Sequence, residues 1–585
     1  MGLAILFITV FVLLISYRIY AVRKVNQTVQ PSWSRSTPAR RKMDGVNFMP
    51  SPPGVIAGFQ FKSISLDVII GPVIAVQFGW LPAILWLLFG SIFFGWVLDY
   101  FSTIISVRNG GNTISDLIGE FFNPTSRKLI LVFIYIYLLT ILGQFGLLFS
   151  TLLGRENVAS GIIILVFAGF ISGLMIYRWR INIILASFLS VMIALVGIWT
   201  TTTPTVHLFL NTVNQNLAEI GSLTLPKLIS TSQVSFHSLF WILFLFAICY
   251  LIAVLPMWRI AIPINYVASW LVILTLGLAV AGLLFGTLNG SINSNFEIPP
   301  LVTTTHPNLG PIWPILFVTL SSGAVSGWHS LVSTFSTSRQ IEKEPLVLPV
   351  TTGAMFTETV MVVLVIIFAA TYGVSSGLFN PGQDYSLTAG PASIFAVGLA
   401  KSWHELGFTE SLGGSFSALF LTIMGITVLH LVLRFSGVVS KDLFGQRFRT
   451  LMKPQFNILV IILIALLIIY FGYWQSLWVL FAGANQLLAA IVLLLASTWL
   501  VKIRKSFWWV FIPSVILFLT AMAAFFYNTI YQVLYQQVVI GQFDNPVSVG
   551  GNIITIVIGV LFMIFGVYLF YAGFKQFNHY RSIHT

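Results

Sequence analysis

Apolar runs long enough to cross a bilayer recur from one end of this 585-residue chain to the other. A hydrocarbon core about 30 Å thick takes about 20 apolar residues in helical form, because nothing inside it can satisfy an open backbone. Runs of this kind lie near residues 3–20, 63–79, 81–106, 129–153, 158–177, 181–200, 236–256, 261–287, 313–335, 352–373, 414–434, 456–474, 476–501, 507–530 and 551–574. The pattern predicts an all-α polytopic membrane protein with about fifteen transmembrane helices. Composition agrees: 57% of residues are hydrophobic and 8% charged, a balance foreign to soluble domains.

In a soluble protein a net charge of +13 would suggest nucleic acid. Here the placement of the charge argues otherwise. Basic loops fall at 18–62, 107–128, 178–180, 337–349, 434–455, 502–505 and 575–585, whereas 289–312, 374–390 and 531–549 contain no Lys or Arg. Positive charge is retained on the cytoplasmic side, so the alternation sets the N-terminus outside and the C-terminus in the cytoplasm. Of the 29 Lys and Arg residues, only Arg155, Lys227 and Lys401 fall on the outer side. The basic balance therefore reports orientation in a lipid bilayer, with no nucleic-acid partner. Contact of Arg40-Arg41-Lys42 with anionic lipid is a minor reading. The first apolar run lacks a basic segment before it, and Arg18, Arg23 and Lys24 follow it. That order favours an uncleaved helix over a signal peptide.

The loops are too short for a catalytic domain. The longest, 21–62 and 201–235, read as surface loops or partly disordered linkers. No GxxxxGK[ST], HExxH, CxxC or nucleophile elbow occurs, and Cys249 is the one cysteine. The chain is read as no enzyme, with no cofactor, no metal site and no ATPase of its own. A solute crossing it is driven by an ion gradient or flows passively.

Ionisable residues at membrane depth cost roughly 2.5–3.5 kcal/mol each on insertion scales, so each is a functional hypothesis. His329 lies in the run 313–335 beside Gly323-Ala324-Val325-Ser326-Gly327. Such small residues let a helix approach closely or let the backbone open, which puts Ser326 and His329 on a path for a polar solute or a proton. The competing reading is a neutral histidine bonded to a backbone carbonyl. Three carboxylates fall inside the runs: Asp67, Asp99 and Glu358. Gly71-Pro72, just after Asp67, is expected to break its helix and expose backbone groups to a solute. The alternative there is a proline kink with Asp67 near the interface. Asp99 lies near Arg108, as an ion pair or a proton relay. Glu358 pairs with a cytoplasmic base, or with His329 if the two helices pack. His430 and Arg434 share a helix face, with Arg434 reaching the cytoplasmic surface. Asn485 and Gln486 are adjacent carboxamides in an apolar run, suited to gluing helices or to touching a solute.

Several segments together resemble the carbon starvation (CstA) family. They are Gly71-Pro72-Val73-Ile74-Ala75-Val76-Gln77-Phe78-Gly79-Trp80-Leu81-Pro82 with Asp99, and Ser106-Val107-Arg108-Asn109-Gly110-Gly111. Further on come Cys249-Tyr250, Leu255-Pro256-Met257-Trp258 with Pro263 and Tyr266, and Gly327-Trp328-His329-Ser330-Leu331-Val332-Ser333. Gly353-Ala354-Met355 leading to Glu358, and Asn485-Gln486-Leu487-Leu488-Ala489-Ala490, complete the set. The order is the family's, over residues 50–505.

The resemblance implies a multi-pass protein of a prokaryotic cytoplasmic membrane, associated with uptake of peptides or of pyruvate with protons. It also implies an inverted-repeat core like that of the leucine transporter, with broken helices. The chain departs from the family where a histidine pair and a glycine-rich stretch usually stand. It has Gly58-Phe59-Gln60-Phe61 and Ser65-Leu66-Asp67-Val68 there. Ile264 and Asn265 replace an Arg-Asp pair, and His430 replaces an aspartate before Arg434. The chain is thus similar to a divergent branch.

The domain reading is a helix at 1–20, a cytoplasmic basic linker at 21–62, a CstA-like core at 63–505 and C-terminal helices at 506–585. The functional reading is secondary active uptake of a short peptide or a small carboxylate such as pyruvate in the carbon starvation response. The coupling ion is a proton, with Na+ as the alternative, and the oligomeric state is left open. Asp67 and His329 lead as proton-coupling groups, with Glu358 next. A nutrient-sensing membrane protein and a passive channel are the other classes.

Overall fold

The computed structural model describes residues 1–63, 67–154, 158–201, 203–223, 234–291, 295–388, 390–445, 447–448, 453–470, 478–541 and 549–584. Arg155 and Lys227, expected on the outer side, and Ser65 and Leu66 lie outside them.

Among the described residues, eleven helices are long and apolar enough to cross a membrane. Those that frame the interior begin with α1 (Gly2–Val29), the bent pair α2 (Pro53–Lys62) and α3 (Asp67–Ala75), and α4 (Trp80–Arg108). There follow α5 (Pro124–Leu153), α6 (Val158–Arg178), α7 (Phe236–Val254) and α8 (Ala261–Leu288). Next are three short pieces, α9 (Ile312–Thr319), α10 (Ser321–Ala324) and α11 (Gly327–Phe335). The chain then continues through α12 (Val347–Tyr372), α13 (Glu410–Phe444), α14 (Trp478–Lys502), α15 (Trp508–Val539) and α16 (Val549–His584). Three two-stranded ribbons in the loops are the regular non-helical structure among the described residues.

Burial sorts these helices. The apolar windows of α14 and α13 are 100% and 94% buried, whereas those of α1 and α16 are 22% and 28% buried. The first pair forms the centre, and the second presents leucine, isoleucine and phenylalanine outward, as helices facing lipid do.

Two expected crossings are built differently from single long helices. The run at 63–79 belongs to a pair of helices, α2 and α3, bent by 46°. Runs 181–200 and 456–474 form single helices, Ile183–Thr201 and Pro454–Tyr470. The run 313–335 is not one helix. It is interrupted at Leu320 and again at Val325-Ser326, where Val325 (φ −160°, ψ 96°) and Ser326 (φ −101°, ψ 116°) are extended.

Gly71 and Pro72 do not break their helix. α3 runs through both. Pro72 lies inside α3, where it removes one backbone donor, and the helix continues to Ala75. Gly71 has a packing role: a side chain there would collide with the Thr319 carbonyl at the end of α9.

The segment 21–62 is also not a loose linker. Ser36 and Ser51 form backbone bridges with Lys343 and Ile341. Arg35 Nη1 donates to the buried Glu344 carboxylate at 2.9 Å. The segment ends in α2, where Lys62 is buried. The loop 201–235 likewise contains a helix, Pro204–Glu219.

Candidate functional site

Interrupting a helix inside a membrane leaves N–H and C=O groups that only protein can satisfy. At the Val325-Ser326 break the answer comes from two neighbouring helices. Asn485 on α14 accepts the Trp328 N–H at 2.8 Å with Oδ1, capping the N-terminus of α11 from outside the chain's own turn. The same oxygen accepts the Tyr137 hydroxyl of α5 at 3.0 Å, and Asn485 Nδ2 donates to Ser322 Oγ at 2.9 Å. Ser326 is buried, with its hydroxyl 3.4 Å from Asn485 Oδ1. On the other side, Ser91 of α4 donates to the Gly323 carbonyl at 3.2 Å.

The small residues allow this closeness. A side chain at Gly327 would strike the Asn485 backbone carbonyl, and one at Gly95 would strike that of Ala324. The seam 323–327 therefore serves both expected purposes, close packing within the chain and an opened backbone.

His329 stands in the first turn of α11, 4% exposed. Its Nδ1 lies 3.1 Å from Asp99 Oδ2 on α4, and its Nε2 lies 3.4 Å from Glu358 Oε2 on α12. An imidazole is thus held between two buried carboxylates from two other helices. Asp99 Oδ1 and both Glu358 oxygens are buried without a hydrogen-bond partner among the described residues. Asp67, at the start of α3, is buried as well. Two carboxyl groups therefore meet one imidazole among buried residues. Such buried acceptors call for a functional account, since most buried polar atoms are bonded.

The structure joins His329, Asp99 and Glu358, and Ser326 with Asn485. It does not join Asp99 to Arg108. Arg108 donates to Glu344 at 3.0 Å, together with Arg35, at the far end of α4. Glu358 meets the histidine rather than a cytoplasmic base, and His329 meets carboxylates rather than a backbone carbonyl. Gln486 is buried beside Asn485, but its carboxamide has no hydrogen-bond partner among the described residues.

His430 and Arg434 lie away from the triad. His430 Nε2 is 3.1 Å from Asn265 Oδ1. Arg434 is partly exposed, and its Nη1 donates to the carbonyls of Ala253 (3.2 Å) and Leu255 (2.6 Å) at the end of α7. Gln60 is buried and donates to Ser333 on α11. Ile264 packs in the core, its backbone and side chain against Gly169.

Sequence reasoning missed three residues here. Tyr137 and Trp328 carry no signal in an apolar run. Lys62 carried one, a charge directly beside the apolar stretch 53–61, but it reads as the end of a basic loop. Among the described residues no group of three or more His, Cys, Asp or Glu side chains is arranged to hold a metal ion.

Comparison with known proteins adds an independent line. A peptide transporter CstA from Bacillus subtilis is 24% identical, over 97% of this chain and 95% of the relative. A pyruvate/proton symporter BtsT from Escherichia coli is 25% identical, over 87% of this chain and 79% of the relative. A mutant manganese transporter from Eremococcus coleocola aligns with 92% of this chain at 14% identity, with a TM-score of 0.40, too low to carry a statement about fold. The family described as carbon starvation protein CstA matches at residues 1–382 and 380–524, which takes in every member of the His329 cluster. By that match the chain, a multi-pass membrane protein, belongs to the carbon starvation protein CstA family.

Proposed function

We propose that this protein is a proton-coupled secondary transporter that takes up a small organic nutrient bearing a carboxylate, a short peptide or pyruvate. One observation carries the reading: His329 between Asp99 and Glu358, buried at the interruption of a membrane helix. A bound proton changes the net charge of this cluster, and burial makes each such change energetically large. The opened backbone at Val325-Ser326 puts a solute site next to the charge that responds. The printed names of the two relatives, a peptide transporter and a pyruvate/proton symporter, support the substrate class and the coupling ion. Transport without catalysis fits a chain whose polar groups are buried in helices.

In this reading His329, Asp99, Glu358 and Asp67 carry the proton, and Ser326, Asn485 and Gln486 border the solute. Gly71 and Pro72 hold α3 against α9. Arg108 with Glu344 ties the cytoplasmic end, His430 and Arg434 brace α13 against α7 and α8, and residues 63–505 form the core.

About fifteen crossings remain the best count. The eleven long helices, the bent pair, the two shorter apolar helices and the interrupted segment support it. The two discontinuous segments, α2–α3 and α9–α11, support an inverted-repeat core, since such cores place broken helices around a midplane site. The basic segments support an external N-terminus and a cytoplasmic C-terminus.

The test is uptake of labelled pyruvate and of a labelled dipeptide into proteoliposomes under an inward proton gradient. Wild type is compared with His329→Ala and Glu358→Gln. Accumulation above equilibrium that both variants lose supports the reading. Accumulation that survives both substitutions returns the histidine to packing. Uptake of neither solute moves the weight to a sensor.

A further inference from the structure

A groove with a volume of about 550 Å³ lies at the surface between α8 and the helix Ile183–Thr201. Ile184 and Phe188 line one wall, and Tyr266, Trp270 and Leu274 line the other. Each set is spaced by four residues, so it stands in a row along one helix face. Gly54, at the start of α2, faces Ile183 and lines the end where both helices begin. The two hydroxyls in the groove answer each other. Ser187 Oγ donates to the Ile183 carbonyl at 2.5 Å, so its oxygen accepts the Tyr266 hydroxyl at 2.6 Å. Carbon makes up nearly all of the remaining wall. Such a groove suits hydrocarbon and offers little to a polar solute.

The end at Ile183 has a different chemistry. Arg178 closes α6, and Trp179 and Arg180 follow it in a tight turn, all three exposed. The turn is held by the Trp179 N–H on the Leu174 carbonyl at 2.8 Å and the Ile181 N–H on the Met175 carbonyl at 2.9 Å. Arg259, also exposed, stands two residues before α8. Tyr177 and Trp258 join these segments, with ring centroids 5.7 Å apart, and the Tyr177 hydroxyl lies 2.8 Å from Ser51 Oγ, just before α2. Three arginines therefore share the corner where the groove begins.

None of the three forms an ion pair among the described residues. Segments 45–62, 157–218 and 220–296, which build the corner and both walls, contain no Asp or Glu. Asp44, just before the first of them, has one oxygen taken by the N–H groups of Val46, Asn47 and Phe48 at 2.8–2.9 Å. Three helices also start here, at Pro53, Ile183 and Ala261, and their N-terminal ends add to the positive field.

We infer that this groove is a specific site for one anionic phospholipid. Its phosphate meets Arg178, Arg180 and Arg259, and an acyl chain lies between the rows Ile184–Phe188 and Tyr266–Leu274. The carbon walls account for the chain, and the unneutralised arginines select a negative headgroup over a zwitterionic one. Eight residues of helix beyond Ile183 give the chain about 12 Å of wall. Trp179 and Trp270, 54% and 41% exposed, are aromatic surfaces of the kind that settle at headgroup depth. The inference does not depend on the transport reading.

The experiment titrates the full-length protein in detergent with phosphatidylglycerol, or with phosphatidylcholine of the same acyl chains. Bound lipid is counted by native mass spectrometry. Wild type is expected to retain one phosphatidylglycerol with a preference of about tenfold or more over phosphatidylcholine. Arg178→Gln combined with Arg180→Gln is expected to weaken that retention about 25-fold, at about fivefold per arginine. Arg504→Gln combined with Lys505→Gln removes two charges from another basic segment and is expected to change nothing. Leu274→Trp, which fills the groove and keeps every charge, is expected to lose the retained lipid. Equal retention of the two lipids by wild type overturns the inference, and that comparison needs no variant to fold. An equal loss in the Arg504–Lys505 variant, or retention untouched by Leu274→Trp, overturns it as well.

Discussion

Two buried polar clusters lie at the two discontinuous segments, and they are built from opposite materials. At α9–α11 an imidazole sits between carboxylates, with Asn485 bonded to the opened backbone. At α2–α3 an amine and an imidazole meet only a hydroxyl, a thioether and a carboxamide. The first cluster answers charge with charge. The second is bonded, among the described residues, through neutral dipoles. Both pay to leave water, but only the first recovers part of that cost by Coulomb attraction. The lesson is that a membrane interior tolerates an ionisable group either by pairing it or by letting it shed its charge.

The comparison breaks first at the paired cluster. Glu358→Gln keeps shape and removes the charge opposite His329 Nε2. Gradient-driven accumulation is expected to fall about 100-fold, the lower end of what a positioned proton-transfer group contributes. Accumulation within twofold of wild type would make the pairing structural.

Next in size is the backbone contact that brings the cluster together. Gly327→Ala drives a methyl into the Asn485 carbonyl, at a cost of about 1–3 kcal/mol. Gly353→Ala, on α12 where nothing lies within 4 Å of the added carbon, is expected to be neutral or stabilising by up to about 1 kcal/mol. Thermal unfolding in detergent separates the two, and equal shifts would contradict the close approach.

Asn485→Ala leaves the Trp328 N–H buried without its acceptor, a loss of about 1–3 kcal/mol. The same assay reads it, and a wild-type transition would mean that the cap carries no energy. The smallest effect belongs to the neutral cluster. Asn265→Ala leaves one buried donor, His430 Nε2, without its acceptor where Asn485→Ala leaves two, so a loss near the low end of about 1–3 kcal/mol is expected. A larger loss than for Asn485→Ala would reverse the ranking of the two regions.

Much of this was legible in the chain. The membrane class follows from apolar runs, because lipid leaves the backbone no alternative to helices. His329, Asp99 and Glu358 stood out one by one, because a charged residue in an apolar run is conspicuous. Gly71-Pro72 misled, because packing of α3 against neighbouring helices holds it helical through a proline that would break an isolated helix. Lys62 was hidden by its neighbours: a charge at the boundary between a basic loop and an apolar run looks like the loop's last residue. The family resemblance rested on motifs spread along the chain, and the later match covers the same ground.

The sequence by itself determined which residues enter the membrane and which of them are ionisable, since transfer from water depends on each side chain's own chemistry. Only the tertiary structure decided their partners. Asp99 and His329 are 230 positions apart, and Lys62 and Thr427 are 365 apart. Contacts at such separations depend on how helices pack, through glycines that admit a backbone and breaks that turn it. A local pattern of residues contains no term for that.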